Sequence, residues 1–279
     1  MSGTARPDRY AVVGHPVAHS RSPFIHGEFA RATGQSLEYG RIDVAPERFA
    51  AAVRDFFASG GRGLNVTVPH KEAAAALVDE MTPRAARAGA VNTIAARGYG
   101  TLLGDNTDGA GLVTDLEHNL GVVLAGRSIL ILGAGGATRG VLAPLLARKP
   151  ERIAIANRTA ERAAHLAAAF GDLGDVVGGA YGEVDGGRWD LVINATSASL
   201  SGVVPPLAAS AVDSGTVCYD MAYAHDDTPF TCLARERGAA TAHMGWGMLA
   251  EQAAEAFLVW RGVRPATSSV LALLRAGAA

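Results

Sequence analysis

Short apolar segments alternate with amphipathic helical segments along most of this chain, and that alternation limits its fold more than any other feature. Strand, helix and strand in succession are typical of parallel α/β architecture. The pattern starts at residues 10–13 and restarts more cleanly at Ser128–Leu132, and 279 residues are enough for two α/β domains. Strands are predicted at 10–13, 37–43, 64–66, 128–132, 152–156, 190–193 and 216–220, with a hairpin within 90–103. Helices are predicted from Pro23, Pro46, Pro69, Thr107, Thr159, Thr228 and Met248, another helix follows the turn at 133–137 and runs to Ala147, and one more ends the chain.

Composition excludes several classes of protein. Hydrophobic residues make up 49% of the chain and charged residues 19%, which excludes general disorder. A formal net charge of −2 provides no broad basic surface for nucleic acid. Cys218 and Cys232 are too few for a disulfide framework or a zinc site, and the longest uncharged run is too polar for a good membrane span. We therefore expect a cytoplasmic protein that binds small molecules, with no metal, nucleic acid or membrane as partner. Composition does not determine the oligomeric state, and both a monomer and a homodimer remain open.

A glycine-rich turn follows Ser128–Leu132 and has the physical properties of a dinucleotide-binding site. The turn consists of Gly133, Ala134, Gly135, Gly136 and Ala137, and a predicted helix follows it. Glycines permit a tight turn and close approach of a pyrophosphate, and the helix N-terminus offers free N–H groups. Thr138 stands where the G-x-G-x-x-G pattern has its third glycine, so an ordinary strand-to-helix turn is the alternative.

The end of the next strand indicates which dinucleotide would bind. An NAD site has a carboxylate there for the ribose 2′-hydroxyl, whereas this chain has Asn157, Arg158 and Thr159, with Arg162 one turn later. An arginine at this place favours a 2′-phosphate, so NADP is the expected cofactor. The alternative is a pair of solvated helix arginines.

The N-terminal half has a denser set of polar residues at predicted strand ends and helix starts. Ser20 and Ser22 come before a helix, where two hydroxyls suit a carboxylate, although N-capping by Ser22 is the alternative. Lys71 is one of only two lysines among 25 basic residues, and a lysine, unlike an arginine, can release a proton. The other polar residues are Asn65, Thr67, Asn92, Thr93 and those of segment 104–109. Such a lining suits a small polyhydroxylated acid.

Nine segments resemble, in order, the signatures of the shikimate dehydrogenase family. They are GHPVAHSRSPFIH, GLNVTVPHK, AVNTI, GDNTDGAG, LGAGGATRG, ANRTAERA, INATS, DMAYAHDDTPF and GWGMLAEQAAEAF, and they span residues from about 10 to 260. The resemblance implies an α/β substrate-binding domain at 1–107, an NADP-binding Rossmann domain at 108–244, and C-terminal helices at 245–279 that pack back on the first domain. It also implies NADPH-dependent reduction of 3-dehydroshikimate to shikimate in aromatic amino-acid biosynthesis.

The resemblance further implies roles for individual residues. Lys71 and Asp108 would be the catalytic pair. The substrate-binding residues would be Ser20 and Ser22 at the carboxylate, with Tyr223 nearby, and Thr67, Asn92 and Gln252 at the ring hydroxyls. The NADP-binding residues would be the glycine turn 133–137, Asn157, Arg158, Thr159, Arg162, Thr196, Met221 and Gly245.

One segment departs from the family pattern, and two other functions remain open. After INATS the family commonly has a glycine close to a Ser-Gly pair, whereas this chain has Ala198-Ser199-Leu200 before Ser201-Gly202, which leaves the cofactor contact of this loop open. The first alternative function is a quinate/shikimate dehydrogenase that uses NAD. The second is a catalytically silent sensor on the same fold, against which the intact Lys71 and Asp108 argue.

Overall fold

Two compact units make up the protein, whose residues 6–277 are described by a computed structural model. The first unit comprises residues 1–108 and 250–279, and the second comprises residues 109–249. Each unit contains one six-stranded sheet with helices, so the predicted α/β class is confirmed. Within residues 6–277, no helix is long and apolar enough to cross a membrane.

The sheet of the first unit is mixed. Its strands are β1 (Asp8–Gly14), β2 (Leu37–Asp43), β3 (Gly61–Val66), β4 (Glu80–Met81), β5 (Thr93–Ala96) and β6 (Leu102–Asp105), in the order β2-β1-β3-β5-β6-β4. β1 is parallel to β2 and β3, and β4 is parallel to β6. β5 runs antiparallel to both β3 and β6, and β5 and β6 form the predicted hairpin.

Helices of the first unit cover an apolar core. They are α1 (Ser22–Thr33), α2 (Phe49–Ala58), α3 (Lys71–Leu77) and α4 (Pro83–Ala88). Phe49, Val53 and Phe56 recur at helical spacing on α2 and pack with Leu64 and Val66 of β3. This packing fixes the end of β3, after which the chain enters α3.

The second unit has a fully parallel sheet. Its strands are β7 (Ser128–Leu132), β8 (Arg152–Asn157), β9 (Val176–Ala180), β10 (Leu191–Asn194), β11 (Val217–Asp220) and β12 (Thr241–Met244), in the order β12-β11-β10-β7-β8-β9. Counted within the unit, this order is that of a Rossmann fold, with its direction reversing between β7 and β10. The predicted Rossmann architecture is therefore confirmed.

Both faces of the parallel sheet are covered. The helices are α5 (Asp108–Thr114), which continues as a wider π turn to Asn119, α6 (Gly136–Leu146), α7 (Ala160–Phe170) and α8 (Pro229–Glu236). Ile129 and Ile131 of β7 pack into one buried cluster, while Leu130 and Leu132 pack into another that includes Phe230 of α8. Such alternation explains the nearly continuous apolar sequence of β7, since both of its faces are buried.

Two C-terminal helices, α9 (Trp246–Arg261) and α10 (Ser268–Arg275), complete the chain. From residue 250 onward they belong to the first unit. Trp260 Nε1 donates a hydrogen bond to the carbonyl oxygen of Ile94 at 3.0 Å. Arg261 donates to Gln35 and forms an ion pair with Asp8 of β1.

Several short elements escape sequence prediction. β4, α4, β9 and β12 were not predicted, and β9 contains Gly178 and Gly179, which lower strand propensity. Gly178 is needed because a Cβ atom there would lie 2.2 Å from the carbonyl oxygen of Ala163 in α7. Helix α3 begins at Lys71 with His70 as its N-cap, so the start predicted at Pro69 is wrong by two positions.

Candidate active site

Polar side chains of the first unit gather where β3, β5 and β6 meet the segments that flank them. Asn65 lies in β3, Asn92 directly precedes β5, and Lys71 opens α3. Asp108 opens α5, three residues after the end of β6. Asn65, Asn92 and Asp108 are all buried, so each needs hydrogen-bond partners from the protein or from a ligand.

Lys71 and Asp108 form a direct ion pair. The Nζ atom of Lys71 donates to Oδ2 of Asp108 at 2.5 Å, and the side chains are only 16% and 6% exposed. The carbonyl oxygen of Lys71 accepts a hydrogen bond from the N–H of Val91 at 2.9 Å, which ties the start of α3 to the strand segment beside it. The predicted catalytic residues are thus held together, with the lysine's remaining protons available to a third group.

The amide of Asn92 connects this pair with its neighbours. Its Nδ2 atom donates to Oδ1 of Asp108 at 2.8 Å and to Oγ1 of Thr107 at 2.9 Å, and it lies 3.4 Å from Oε1 of Gln252. Its Oδ1 atom accepts from the N–H of Thr107 and from the hydroxyl of Thr93, each at 2.9 Å. The orientation of the amide is therefore fixed, and Asn92 lies between Asp108 and Gln252.

Ser20 and Ser22 form a second buried polar group. The hydroxyl of Ser20 donates to Oγ of Ser22 at 3.2 Å and accepts from the N–H of Ser22 at 3.3 Å. Arg41 Nη2 donates to the carbonyl oxygen of Ser20 at 2.7 Å. Arg21 is the N-cap of α1 and makes no capping hydrogen bond with its side chain, and Ser22 is the first residue inside the helix, so Ser22 is not the N-cap.

A chain of hydrogen bonds joins the serines to Asp108 through Tyr39, a residue that no sequence motif marks. Tyr39 contacts Ser22, and burial raises the pKa of its hydroxyl well above the ordinary value, an effect that the Ser22 hydrogen bond opposes. Its hydroxyl donates to Oδ1 of Asn65 at 2.6 Å, and Nδ2 of Asn65 donates to Oγ1 of Thr93 at 3.2 Å. Thr93 bonds Asn92, so the chain reaches Asp108.

His26 packs against two members of this hydrogen-bonded chain, Tyr39 and Asn65. Its ring stacks on Tyr39 with centroids 4.5 Å apart, and Nε2 donates to Oδ1 of Asn65 at 3.2 Å. Burial lowers the pKa of His26 to about 3, which keeps the ring neutral at physiological pH. This is the structural role that we expect of a buried histidine without a carboxylate partner.

The two remaining substrate-site predictions fall in different units. Thr67 follows β3, its N–H donating to Val13 and its carbonyl oxygen accepting from His70, each at 2.9 Å. Tyr223 lies in the second unit, where its ring packs on Trp246 with centroids 4.6 Å apart. Five of the six predicted substrate residues therefore belong to the first unit, and Tyr223 does not.

The glycine turn of the second unit has the conformation that a pyrophosphate site requires. Gly133 follows β7 with φ of +103°, and a Cβ atom there would lie 3.0 Å from the side chain of Thr196. Gly135 is the N-cap of α6 and leaves the first N–H groups of that helix without a side-chain cap. Thr138 is fully buried and donates to the carbonyl oxygen of Gly133 at 2.8 Å. Thr138, which replaces the third glycine of the pattern, thus stabilises the turn with a side-chain hydrogen bond.

Other predicted cofactor residues lie at the carboxyl ends of neighbouring strands. Thr196 follows β10, the partner of β7 where the strand order reverses, and its hydroxyl donates to Oδ1 of Asn194 at 2.7 Å. Met221 follows β11 and Gly245 follows β12. A Cβ atom on Gly245 would lie 2.5 Å from the carbonyl oxygen of Met221, so only glycine fits. In doubly wound sheets, nucleotides bind at this edge and at this reversal.

A buried carboxylate binds the loop of residues 198–201, the segment that differs from the family pattern. Asp220 is fully buried at the end of β11 and accepts hydrogen bonds from Asn194 at 3.1 Å, Ser199 at 2.6 Å and Thr228 at 2.7 Å. Burial raises the pKa of Asp220 above its ordinary value, although these hydrogen bonds oppose the rise. Ser199 therefore anchors the loop of residues 198–201 to the sheet.

Two arginines offer positive charge at the end of β8. Asn157 Nδ2 donates to the carbonyl oxygen of Thr159 at 2.9 Å, which shapes the turn into α7. Arg158 and Arg162 are exposed, and neither forms a salt bridge within residues 6–277. Two unneutralised guanidinium groups suit the 2′-phosphate of NADP. Within residues 6–277, no group of three or more His, Cys, Asp or Glu residues could hold a metal ion.

Comparison with known proteins places this geometry among characterised enzymes. Residues 12–94 match the model of the shikimate dehydrogenase substrate binding domain, and residues 116–206 match that of shikimate / quinate 5-dehydrogenase. The shikimate dehydrogenase (NADP(+)) of Methylococcus capsulatus is 57% identical, with 97% of each chain covered. An Ael1 enzyme from Pseudomonas putida has a similar structure, with 45% identity, a TM-score of 0.88, and coverage of 96% of this chain and 98% of that one. The shikimate 5-dehydrogenase of Thermus thermophilus, crystallised with NADP(H) and shikimate, is 35% identical with a TM-score of 0.85, covering 96% and 99%.

Proposed function

Because this chain belongs to the shikimate dehydrogenase family, we propose that its two units divide the reaction, the first binding the substrate and the second binding NADP. The enzyme catalyses the NADPH-dependent, reversible reduction of 3-dehydroshikimate to shikimate, a step of aromatic amino-acid biosynthesis. An NAD-dependent quinate/shikimate dehydrogenase and a silent sensor are not favoured, since the relative from Methylococcus capsulatus is named for NADP(+).

The ion pair of Lys71 with Asp108 carries the catalytic proposal. When bound, NADPH supplies a hydride to the carbonyl carbon of the substrate. Negative charge then develops on the carbonyl oxygen, where the Lys71 ammonium stabilises it and donates a proton. Asp108 keeps the ammonium in place and accepts a hydrogen bond from the neighbouring ring hydroxyl. In the oxidation direction, Lys71 accepts the hydroxyl proton.

The rest of the polar chain would hold the substrate in register. Ser20 and Ser22 bind its carboxylate, supported by the Tyr39 hydroxyl behind them. Asn92, which binds Asp108, and Gln252, which lies beside Asn92, bind ring hydroxyls together with Thr67. Tyr223 remains a proposed neighbour of the substrate carboxylate. Amide and hydroxyl groups of this kind select a polyhydroxylated ring, because each would lose a partner with a less hydroxylated analogue.

The cofactor would be held by the strand ends of the second unit. The turn at 133–137 binds the pyrophosphate, because backbone N–H groups at the start of α6 face an anion there. Asn157, Thr159, Arg158 and Arg162 bind the adenosine 2′-phosphate. Thr196, Met221 and Gly245 hold the remainder of the cofactor. Gly245 fits this role because no side chain can stand between its backbone and that of Met221.

A direct spectrophotometric assay of the purified protein tests this function. The fall in NADPH absorbance is measured after 3-dehydroshikimate is added. In the reverse direction, the rise in NADPH absorbance is measured with shikimate and NADP as substrates. We expect turnover with NADPH and much slower turnover with NADH, and we expect quinate to be a poor substrate. Calorimetric binding of shikimate without any turnover would instead support the sensor, and equal use of NAD and NADP would contradict the cofactor assignment.

The setting in which the enzyme works is also a proposal. We propose a cytoplasmic location, supported by two free thiols at Cys218 and Cys232, and a monomer or homodimer in solution. Cell fractionation tests the location, and sedimentation equilibrium tests the oligomeric state. A larger assembly, or recovery of the enzyme outside the cytoplasm, would contradict these two proposals.

A further inference from the structure

A line of ion pairs crosses the first unit beside the catalytic pair, and no part of the proposed mechanism uses it. Arg84 of α4 binds Asp105 at the end of β6 with two hydrogen bonds, from Nε at 2.7 Å and from Nη2 at 2.6 Å. Its Nη1 atom also lies 3.4 Å from Oε2 of Glu255 on α9. Arg264 binds the other oxygen of Glu255 at 2.8 Å and reaches Glu251 at 2.7 Å.

Asp105 connects this line with Asp108 through the intervening residues. Its carboxylate accepts the backbone N–H of Asn106 at 2.7 Å as well as the hydroxyl of Thr82 at 2.5 Å. Oδ1 of Asn106 accepts the backbone N–H of Asp108 at 3.2 Å, and its Nδ2 atom donates to the carbonyl oxygen of Ala90 at 2.9 Å. The backbone that carries Asp108 is thus held by side chains, and the first of them is fixed by Arg84.

The environment of Asp105 makes the arginine indispensable to this arrangement. The Asp105 side chain is only 3% exposed. Burial alone would raise the pKa of Asp105, but hydrogen bonds from Arg84 and Thr82 outweigh it and hold that pKa below the ordinary value. A single ammonium cannot reproduce the two parallel hydrogen bonds of the guanidinium group.

The opposite end of the line reaches the helix that carries a substrate-site residue. Glu251 and Glu255 flank Gln252 on α9, and the Glu251 side chain is 3% exposed. Thr267 donates to the second oxygen of Glu251 at 2.6 Å. Arg84 and Arg264 therefore hold the two carboxylates that flank Gln252 on α9.

We propose that Arg84 is a positioning residue for this reaction, holding the 105–108 segment so that Asp108 meets Lys71, and holding α9 so that Gln252 faces Asn92. This inference rests on the proposed function of Lys71 and Asp108. It adds residues that touch neither substrate nor cofactor and act only through the geometry of those that do.

The test compares Arg84→Met and Arg84→Lys with the same two changes at Arg261. Arg261 is a suitable control because it also joins α9 to β1 of the first unit through an ion pair, with Asp8, yet lies apart from the polar chain of the site. The measurements are kcat, the KM values for shikimate and NADP, calorimetric shikimate binding and the melting temperature. A misplacement of about 1 Å in a catalytic group costs about 100-fold in rate.

Arg84→Met is expected to lower kcat by about 100-fold and to raise the shikimate KM, with the NADP KM unchanged within about twofold. Arg84→Lys should recover most of the melting temperature but less than about a tenth of the lost kcat, since it cannot bind Asp105 with two bonds. Arg261→Met should lower the melting temperature with kcat retained. Glu255→Gln, which keeps the shape of that side chain, should raise the shikimate KM alone.

Three results would overturn the inference while leaving the proposed function intact: wild-type kcat in either folded Arg84 variant, an equal kcat loss in Arg261→Met, or parallel increases in both KM values. If Arg84→Met does not fold, Arg84→Lys and Glu255→Gln decide the question. If wild-type enzyme itself does not oxidise shikimate with NADP, the proposed function fails first, and with it the premise of this inference.

Discussion

We propose that Arg158 is the residue on which the choice of NADP over NAD depends most directly. It follows β8, is exposed, and makes no salt bridge within the described residues, so its removal breaks no ion pair there. Arg158→Ala therefore changes the charge beside the 2′-phosphate and little else. We expect a higher KM for NADP with an unchanged melting temperature.

The magnitude follows from the exposure of the guanidinium group. A hydrogen bond to a charged group contributes roughly 1.5–3 kcal/mol. Because solvent and salt screen an exposed pair, we expect the lower end, about 1.5 kcal/mol, which corresponds to about a tenfold higher KM for NADP. Arg162 stays in place one turn later and limits the loss. NAD has no 2′-phosphate, so its KM should change by less than about twofold.

The assay measures initial rates of shikimate oxidation with NADP and with NAD, at low and at high ionic strength. Arg127→Ala is the control, since Arg127 is another exposed arginine of the second unit and pairs with Asp190 at 3.1 Å, remote in sequence from the β8 turn. The NADP effect should shrink as salt rises, because screening weakens the contact. An equal increase in both KM values would show that Arg158 only supports the structure, and the reasoning would fail.

Three further predictions concern the first unit and the strand ends. Ser20→Ala with Ser22→Ala should raise the shikimate KM strongly and cost at most about 1 kcal/mol of unfolding free energy, the cost of one lost cap; a collapsed melting temperature with normal shikimate binding would contradict it. His26 has a pKa of about 3 when folded and 6.5 ordinarily, so the unfolded chain takes up a proton first as pH falls, and stability drops between pH 6.5 and 3. Relative to His26→Gln, the wild type should lose about 2 kcal/mol between pH 7 and pH 5 in urea unfolding, and parallel pH curves would refute this. Gly245→Ala forces Cβ against the Met221 backbone, so it should cost about 1–3 kcal/mol or raise the NADP KM, and a silent substitution would count against the crowding.

Hydrophobic periodicity was sufficient for the elements with strong patterns. Leu37–Asp43 and Ser128–Leu132 have the predicted bounds, since apolar residues and turn signals define both ends. β4 spans only two residues, which are too few for a pattern, and the four residues of β12 include Thr241 and His243, so they form no apolar run. β9 combines glycines with valines, and its pairing with β8 depends on α7 lying close to Gly178, which no local pattern records.

The site residues fall into those that chemistry marks and those that only the fold reveals. Lys71 is conspicuous in a chain rich in arginine, and the sequence pairs it with Asp108 only through the family resemblance. Tyr39 looks like an ordinary strand aromatic, and its contact with Asn65, which is 26 positions away, exists only after β1 has paired with both β2 and β3. Arg84 likewise looks like a solvated helix arginine, because its partners Asp105 and Glu255 are distant in sequence and meet it only in the folded protein.

Ser22 illustrates how a local rule can fail. A serine just before a helix is the usual N-cap, yet here the helix already includes Ser22, and its hydroxyl points to Ser20 and Tyr39. Thr138 shows the opposite, because its departure from the glycine pattern is explained by a contact within the turn itself. Its buried hydroxyl binds the carbonyl oxygen of Gly133, a contact that the spacing alone does not predict.

Proton transfer by Lys71 is the central claim, and turnover of Lys71→Arg beside calorimetric binding of shikimate and NADP tests it most directly. The substitution keeps the positive charge next to Asp108 but removes a proton that can be exchanged at accessible pH. General acid–base catalysis contributes about 10²–10⁴-fold, so the account predicts a kcat loss of that order in Lys71→Arg and in Lys71→Met, with both ligands bound nearly as tightly as by the wild type. Near-normal turnover by Lys71→Arg across the pH range would contradict it, because charge alone would then be sufficient for catalysis.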